Sequence, residues 1–159
     1  MDVVQLLLDH FPSNDLDEAL WVVFSAAAKA GIDEFMTLTA AIKLRDRSVP
    51  SDALRWAAER GHKELIKPLL DNGVDVNSTD GLYGRPALHD AAANGHVDCL
   101  TTLIEHGADV DARAGGWIPL HNVALRGHTE CVTALLQHGA DINSRDRREI
   151  GRASCRERV

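Results

Sequence analysis

Apolar residues in the second half of the chain recur in two short stripes at helical spacing. Leu120 and Ala124 belong to the first stripe, and Leu135 and Leu136 belong to the second. Residues three or four positions apart lie on one face of a helix, so each stripe predicts a short amphipathic helix. Each apolar face is too small to form a core alone. The pattern therefore predicts helical pairs that are stable only when they stack on neighbouring pairs.

The same sequence unit recurs along the chain. Residues Ala91–His96 recur as Val123–His128, and Asp98–Asp109 recur as Glu130–Asp141. A self-similar segment of about this length is typical of stacked repeats rather than of a single globular core. We therefore expect three clear units at about 51–79, 80–112 and 113–146, with residues 1–50 forming degenerate units of the same kind.

Glycines divide each unit and locate its length variation. Gly61 and Gly95 are 34 residues apart, and Gly95 and Gly127 are 32 apart, whereas the glycine that closes each helical pair follows 12 residues later. The variation therefore falls in the solvated loops between pairs. We expect positive φ at Gly95 and Gly127, the first helical position at Pro119, and a helix cap at Ser51 or Asp52 after a loop that ends at Pro50.

Five short motifs at this spacing resemble ankyrin repeats: Leu-His, Ala-Ala, Gly-His, a Leu-Leu pair and Gly-Ala-Asp. The resemblance implies two antiparallel helices per unit and a projecting β-hairpin. The fold class it implies is an all-α, ankyrin-type repeat solenoid of stacked helix-turn-helix units joined by short β-hairpin loops. The chain departs from the family pattern at Ile118, at the shifted Pro86-Ala87 pair and at Arg55, which replaces a histidine, so we expect modest stability.

Residues 147–159 lack repeat character and are expected to form a disordered tail. From about residue 149 they resemble the translation of a common sequencing adapter, and we interpret that part as an artefact of read-through. On this interpretation the natural protein continues with further repeats, and the chain is a fragment.

Composition narrows the function classes. The 159 residues are 45% hydrophobic but only 4% aromatic, and the net charge of −7 disfavours nucleic acid and anionic membranes as partners. No apolar run is long enough to span a membrane, and residues 1–10 lack the features of a signal peptide. The three cysteines do not form a disulfide framework. We therefore expect an intracellular protein, cytoplasmic or nuclear.

The eight histidines occupy equivalent positions in successive units, which disfavours a metal site. Equivalent atoms of stacked helices lie about 8–10 Å apart, whereas zinc ligands converge to about 2 Å from the ion. We expect His89 and His121 to bind loop backbone, and Cys99 and Cys131 to be small buried hydrophobes. No motif supports a catalytic residue, a cofactor site or a small-molecule substrate, so a metal- or redox-active protein is the least favoured hypothesis.

The leading hypothesis is a non-catalytic scaffold that binds a protein partner through hairpin tips and first helices. The alternative is a regulatory segment of a larger enzyme, channel or signalling protein. Trp117 lies beside a Gly-Gly turn, where it either folds over its own loop or anchors a partner. Trp56, inside a helix, is expected to pack between units. The predicted binding residues are a concave stripe, an extension of it and a neighbouring tip. The stripe consists of Arg85, Asn94, Trp117, Leu125 and Arg126, Glu59 and Arg60 extend it, and Leu82 and Tyr83 occupy the tip.

Overall fold

The computed structural model describes residues 49–79 and 84–144, with the backbone alone at 49 and 50, and five earlier residues, Gly31, Asp33, Phe35, Met36 and Thr39. The rest of the predicted degenerate units, the tail beyond 144 and the tip at 80–83 lie outside the described residues. The helices within 49–144 are α1 Val49–Arg60, α2 Lys63–Asp71, α3 Ala87–Asn94, α4 Val97–Glu105, α5 Pro119–Arg126 and α6 Thr129–Gln137.

A left-handed glycine turns each first helix into its second helix. Gly95 has φ 74° and ψ 22°, and Gly127 has φ 77° and ψ 26°, a conformation that glycine adopts without the steric cost of a Cβ atom. The next residue closes the turn, because the N–H of His96 donates to Ala91 O over 3.0 Å and that of His128 donates to Val123 O over 3.1 Å. The predicted positive φ values are confirmed.

The first helices begin in three different ways. Helix α5 begins at Pro119, as predicted, and α3 begins at Ala87, after an extended Pro86. The predicted cap at Ser51 or Asp52 is wrong, because α1 already begins at Val49. Proline lacks the N–H that a helix leaves unpaired in its first turn, and its fixed φ suits the helix, so Pro50 extends α1 backwards instead of ending a loop.

The helices stack in two rows, as predicted from the paired stripes. The first row consists of α1, α3 and α5, and the second row consists of α2, α4 and α6; each helix packs on its partner in the pair and on its neighbours in the row. Leu88 and Leu120 are almost fully buried in one continuous core, and Leu136 packs against it from the edge. Successive pairs therefore bury each other's apolar faces.

Three aromatic rings stack at the N-terminal end of this core. The ring centroids of Phe35 and Trp56 are 5.8 Å apart, and those of Trp56 and His62 are 4.9 Å apart, with both pairs near parallel. Phe35 is fully buried and Trp56 is 4% exposed. The predicted packing of Trp56 in the core is confirmed, and residues before α1 contribute to it.

The loops between units return the chain through short antiparallel bridges. Ala114 and Trp117 exchange two backbone hydrogen bonds of 2.9 and 3.0 Å around Gly115 and Gly116, which have φ of 60° and 90°. Positive φ at both central positions is typical of a tight hairpin turn, as predicted for this Gly-Gly pair. Thr79 and Pro86 form the corresponding bridge one unit earlier. These bridges place Trp117 at the entrance to α5.

Candidate partner-binding surface

Side chains of the loops join each unit to the next. Asn77 accepts the N–H of Asp109 over 2.9 Å, and one unit later Asp111 accepts the N–H of Asp141 over 3.0 Å. Asn77 also donates to Gly107 O over 3.2 Å. The carboxylates of Asp75, Asp109 and Asp141 also accept backbone N–H groups, each from the residue two positions further on, so these repeated acidic residues hold the loop backbone.

The buried histidines of the first row hold the following loop. His89 Nε2 donates to Trp117 O over 3.1 Å, and His121 Nε2 donates to Ser144 O over 3.0 Å. Because a carbonyl oxygen can only accept, each ring carries its proton on Nε2. The predicted structural role of these two histidines is confirmed, and both bonds fix the loop that follows the helix pair.

The two rings differ in how many of their nitrogens are hydrogen-bonded. Ile118 donates its backbone N–H to His121 Nδ1 over 3.1 Å, whereas Nδ1 of the buried His89 has no hydrogen-bond partner. Pro86 occupies the position of Ile118 one unit earlier, and proline has no N–H to donate. Burial is the main reason that the pKa of His89 is lowered from its usual value.

A second set of histidines covers the glycines of the preceding unit. His96 Nε2 donates to Glu59 O over 3.0 Å, and His128 Nε2 donates to Ala93 O over 3.3 Å. The rings lie so close to the backbone that a Cβ atom at Gly95 would be 2.6 Å from His128 Nδ1. The Gly-His pairs of the sequence are therefore contacts between units as well as turns.

An ion-pair cluster replaces the histidine contact in the first described unit. Arg55 Nε lies 3.2 Å from Asp90 Oδ2, and Arg85 Nη2 lies 3.3 Å from Asp90 Oδ1. The Asp90 side chain is only 8% exposed, and burial raises the pKa of its carboxyl while the two guanidinium groups oppose that rise. Arg55, which stands where later units have His89 and His121, therefore contacts α3 of the next unit.

The cysteines of the second row have unreactive thiols because they are buried. Cys99 and Cys131 are both free and buried, as predicted. Burial raises the pKa of the Cys99 thiol to about 12 and that of Cys131 to about 11. The thiolate is the nucleophilic and metal-binding form, so neither side chain supplies a reactive thiol near neutral pH.

The outward side of the first row carries the exposed residues that a partner can reach. Leu125 is 59% exposed, and among the described residues it is the large hydrophobic side chain that solvent reaches most. Arg126 and Asn94 are also exposed, and Asn94 Nδ2 donates to Asp90 O over 2.9 Å. Trp117 is half-buried, with its ring edge-on to His121 at a centroid distance of 6.1 Å.

Comparison with known protein families assigns this helical stack to a family. The family described as Ankyrin repeats (3 copies) matches residues 54–146, which is more than half of the chain. The chain belongs to the ankyrin-repeat family. Ankyrin repeats are generally protein–protein interaction modules and are typically non-catalytic.

Solved structures agree with the assignment. The ankyrin repeat domain of human ASB11 is 37% identical, with a TM-score of 0.54, and the match covers 56% of this chain and 40% of that chain. This ankyrin chain therefore spans less than half of that domain. Comparison with curated protein sequences gives no significant match.

Most of the predicted binding residues lie at the ends of the first-row helices or at the entrances to them. Glu59 and Arg60 end α1, Asn94 ends α3, and Leu125 and Arg126 end α5, so they lie at equivalent places in the first row. Arg85 and Trp117 lie at the entrances to α3 and α5. Leu82 and Tyr83 lie outside the described residues. The Arg55–Asp90 pair does not follow from local sequence patterns, because the partners belong to different units.

Within 49–79 and 84–144, no three His, Cys, Asp or Glu side chains are grouped in a way that holds a metal ion. None of the helices in the described part of the chain is both long and apolar enough to cross a membrane.

Proposed function

We propose that this ankyrin-repeat chain is a non-catalytic scaffold that binds a protein partner with the outward side of its first row and the adjoining hairpin tips. The surface consists of the ends of α1, α3 and α5 together with the loop residues at the entrances to α3 and α5. The observation that carries the proposal is the 59% exposure of Leu125.

The exposure of Leu125 stands out against its equivalents. Glu59 holds the same position in α1 and is charged, and Ala93 holds it in α3 and is 5% exposed. A leucine at the third position exposes apolar area to water, which is unfavourable in the free chain and favourable once a partner covers it. Arg126 is the next residue in α5 and Trp117 precedes the helix, and both are of the types that dominate binding energy at interfaces.

The positions are also held rigidly, which reduces the entropy lost on binding. The backbone of Trp117 is fixed by two hydrogen bonds to Ala114 and by the bond from His89. Asn94 is tied to its own helix through Asp90 O. The surface is therefore organised before a partner arrives.

The test is capture of cellular proteins by the tagged full chain and by Trp117→Ala and Leu125→Ala. Lys67→Ala, on the exposed side of α2, is the matched control. We expect both surface variants to lose the proteins that wild type and control retain. Undiminished capture by both surface variants would show that this face is not the partner-binding surface.

We also propose that the chain works inside the cell, since Cys99 and Cys131 are free. The alternative of a regulatory segment in a larger enzyme, channel or signalling protein stays a prediction.

A further inference from the structure

Charge is distributed unevenly between the two rows. The first row and its entrances carry Arg55, Arg60, Arg85 and Arg126 against Asp52, Glu59 and Asp90. The second row and the loops that follow it are acidic on balance, because Lys63, Lys67 and Arg113 stand against nine carboxylates: Glu64, Asp71, Asp75, Asp98, Glu105, Asp109, Asp111, Glu130 and Asp141. Among the described residues, four of the five arginines therefore lie in the first row or at its entrances, and the fifth is Arg113 in a loop.

The asymmetry is sharpest on α5. Arg126 is its one charged residue, counting histidine as neutral, and within the described residues no carboxylate forms an ion pair with Arg126. Arg60, at the same position in α1, instead follows Glu59, and the third equivalent is the neutral Asn94. The positive charge next to Leu125 is thus left for an external anion to neutralise.

We infer that the partner is a protein segment that presents a carboxylate to Arg126 and an apolar side chain to Leu125. This inference rests on the proposed function and names the chemistry of the occupant. Helix α5 has eight residues and is about 12 Å long, so an extended segment of about four residues spans it. An acidic residue and an apolar residue two positions apart project from the same side of such a segment and reach both groups.

The acidic second row strengthens this preference. An acidic segment is repelled by the second row and loops, where nine carboxylates outnumber three basic side chains, and is attracted by Arg126 on the first row, so it is steered to one side of the molecule. A basic segment would be drawn to the opposite side. The sign of the preferred peptide charge therefore reports which side binds.

The experiment is selection from a displayed library of random twelve-residue peptides, with the full chain as bait. The variants are Arg126→Glu and Leu125→Ala, and Lys67→Glu on α2 is the matched charge reversal. We expect wild type and Lys67→Glu to enrich peptides with Asp or Glu two positions from an apolar residue. Synthetic forms of these peptides should bind Arg126→Glu at least tenfold more weakly and should lose affinity as salt rises.

The outcomes separate the two claims. Enrichment of neutral or basic peptides that lose affinity in Leu125→Ala would contradict the acidic partner but would still agree with the proposed binding face. Peptides whose affinity is unchanged by both Leu125→Ala and Arg126→Glu would contradict two claims: that the partner segment is acidic, and that the end of α5 belongs to the binding surface. Absence of any enriched peptide would contradict the acidic segment, while the capture experiment would still decide the face.

Discussion

The backbone N–H of Ile118 donates to Nδ1 of His121 over 3.1 Å. The ring of His121 is thereby satisfied on both nitrogens, since Nε2 donates to Ser144 O. The equivalent His89 has only its Nε2 bond, because Pro86 replaces the donor. A buried acceptor without a donor costs about 1–3 kcal/mol, so this single replacement weakens the middle unit.

Pro86→Ile should therefore stabilise the chain. Pro86 already has an extended backbone, with φ −69° and ψ 158°, which isoleucine adopts freely. The new N–H would satisfy His89 Nδ1, offset in part by about 0.4–1 kcal/mol for the lost rigidity of proline. We expect a net gain of about 1 kcal/mol in urea unfolding. The gain should vanish in a His89→Leu background; its persistence there would show that the N–H is not the cause.

Stability should fall on mild acidification because of His89. Its folded pKa lies below the unfolded value of 6.5, so its contribution is present above that pH and is lost as pH falls toward the folded pKa. One such group changes the free energy of unfolding by at most about 1.4 kcal/mol per pH unit. Urea unfolding at pH 7.5, 6.5 and 5.5 measures the loss, and His89→Leu should reduce it. An unchanged slope in His89→Leu would contradict this assignment.

Gly95→Ala should be more harmful than Gly107→Ala. Both glycines have positive φ, of 74° and 89°, which alone costs an alanine about 1–2 kcal/mol. Only at Gly95 would the new Cβ also meet His128, at 2.6 Å; at Gly107 nothing lies within 4 Å. We expect at least 1 kcal/mol of additional destabilisation in thermal unfolding. Adding His128→Ala to Gly95→Ala should recover part of that difference.

Asp90→Asn should destabilise the contact between α1 and α3. It removes the negative charge shared by Arg55 and Arg85 and replaces one of the two acceptor oxygens with an NH2 donor. Because these arginine side chains are 22% and 36% exposed, solvent reduces the cost well below that of a fully buried pair, to about 1–2 kcal/mol. A double-mutant cycle with Arg55→Met measures the coupling. Additive effects of the two changes would show that this ion pair contributes nothing to stability.

Cys99 and Cys131 should resist alkylation in the folded chain. Their thiol pKa values of about 12 and 11 leave almost no thiolate at pH 8, and both side chains are buried. Mass spectrometry after iodoacetamide treatment should find these two sites modified only after addition of denaturant. Rapid labelling of either cysteine in the native chain would contradict this expectation.

Sequence alone predicts the features that repeat. Helical pairs, left-handed Gly95 and Gly127, the start of α5 and the roles of His89 and His121 all follow from local spacing and from comparison of one unit with the next. The Arg55–Asp90 pair does not follow, since its members are 35 positions apart and neither recurs in the other units. The unsatisfied Nδ1 of His89 also requires coordinates, because the missing donor becomes evident only when the Ile118 contact is seen.

The hydrogen bonds from loop side chains to the next unit make the stack of repeats different at its two ends. Asn77 and Asp111 precede in sequence the amides that they bind, those of Asp109 and Asp141. In these two bonds the ribosome therefore releases the acceptor before the donor, and a newly made loop meets acceptors that are already synthesised. In this respect the array is suited to growth during translation from its N-terminal side, and the two ends are not interchangeable.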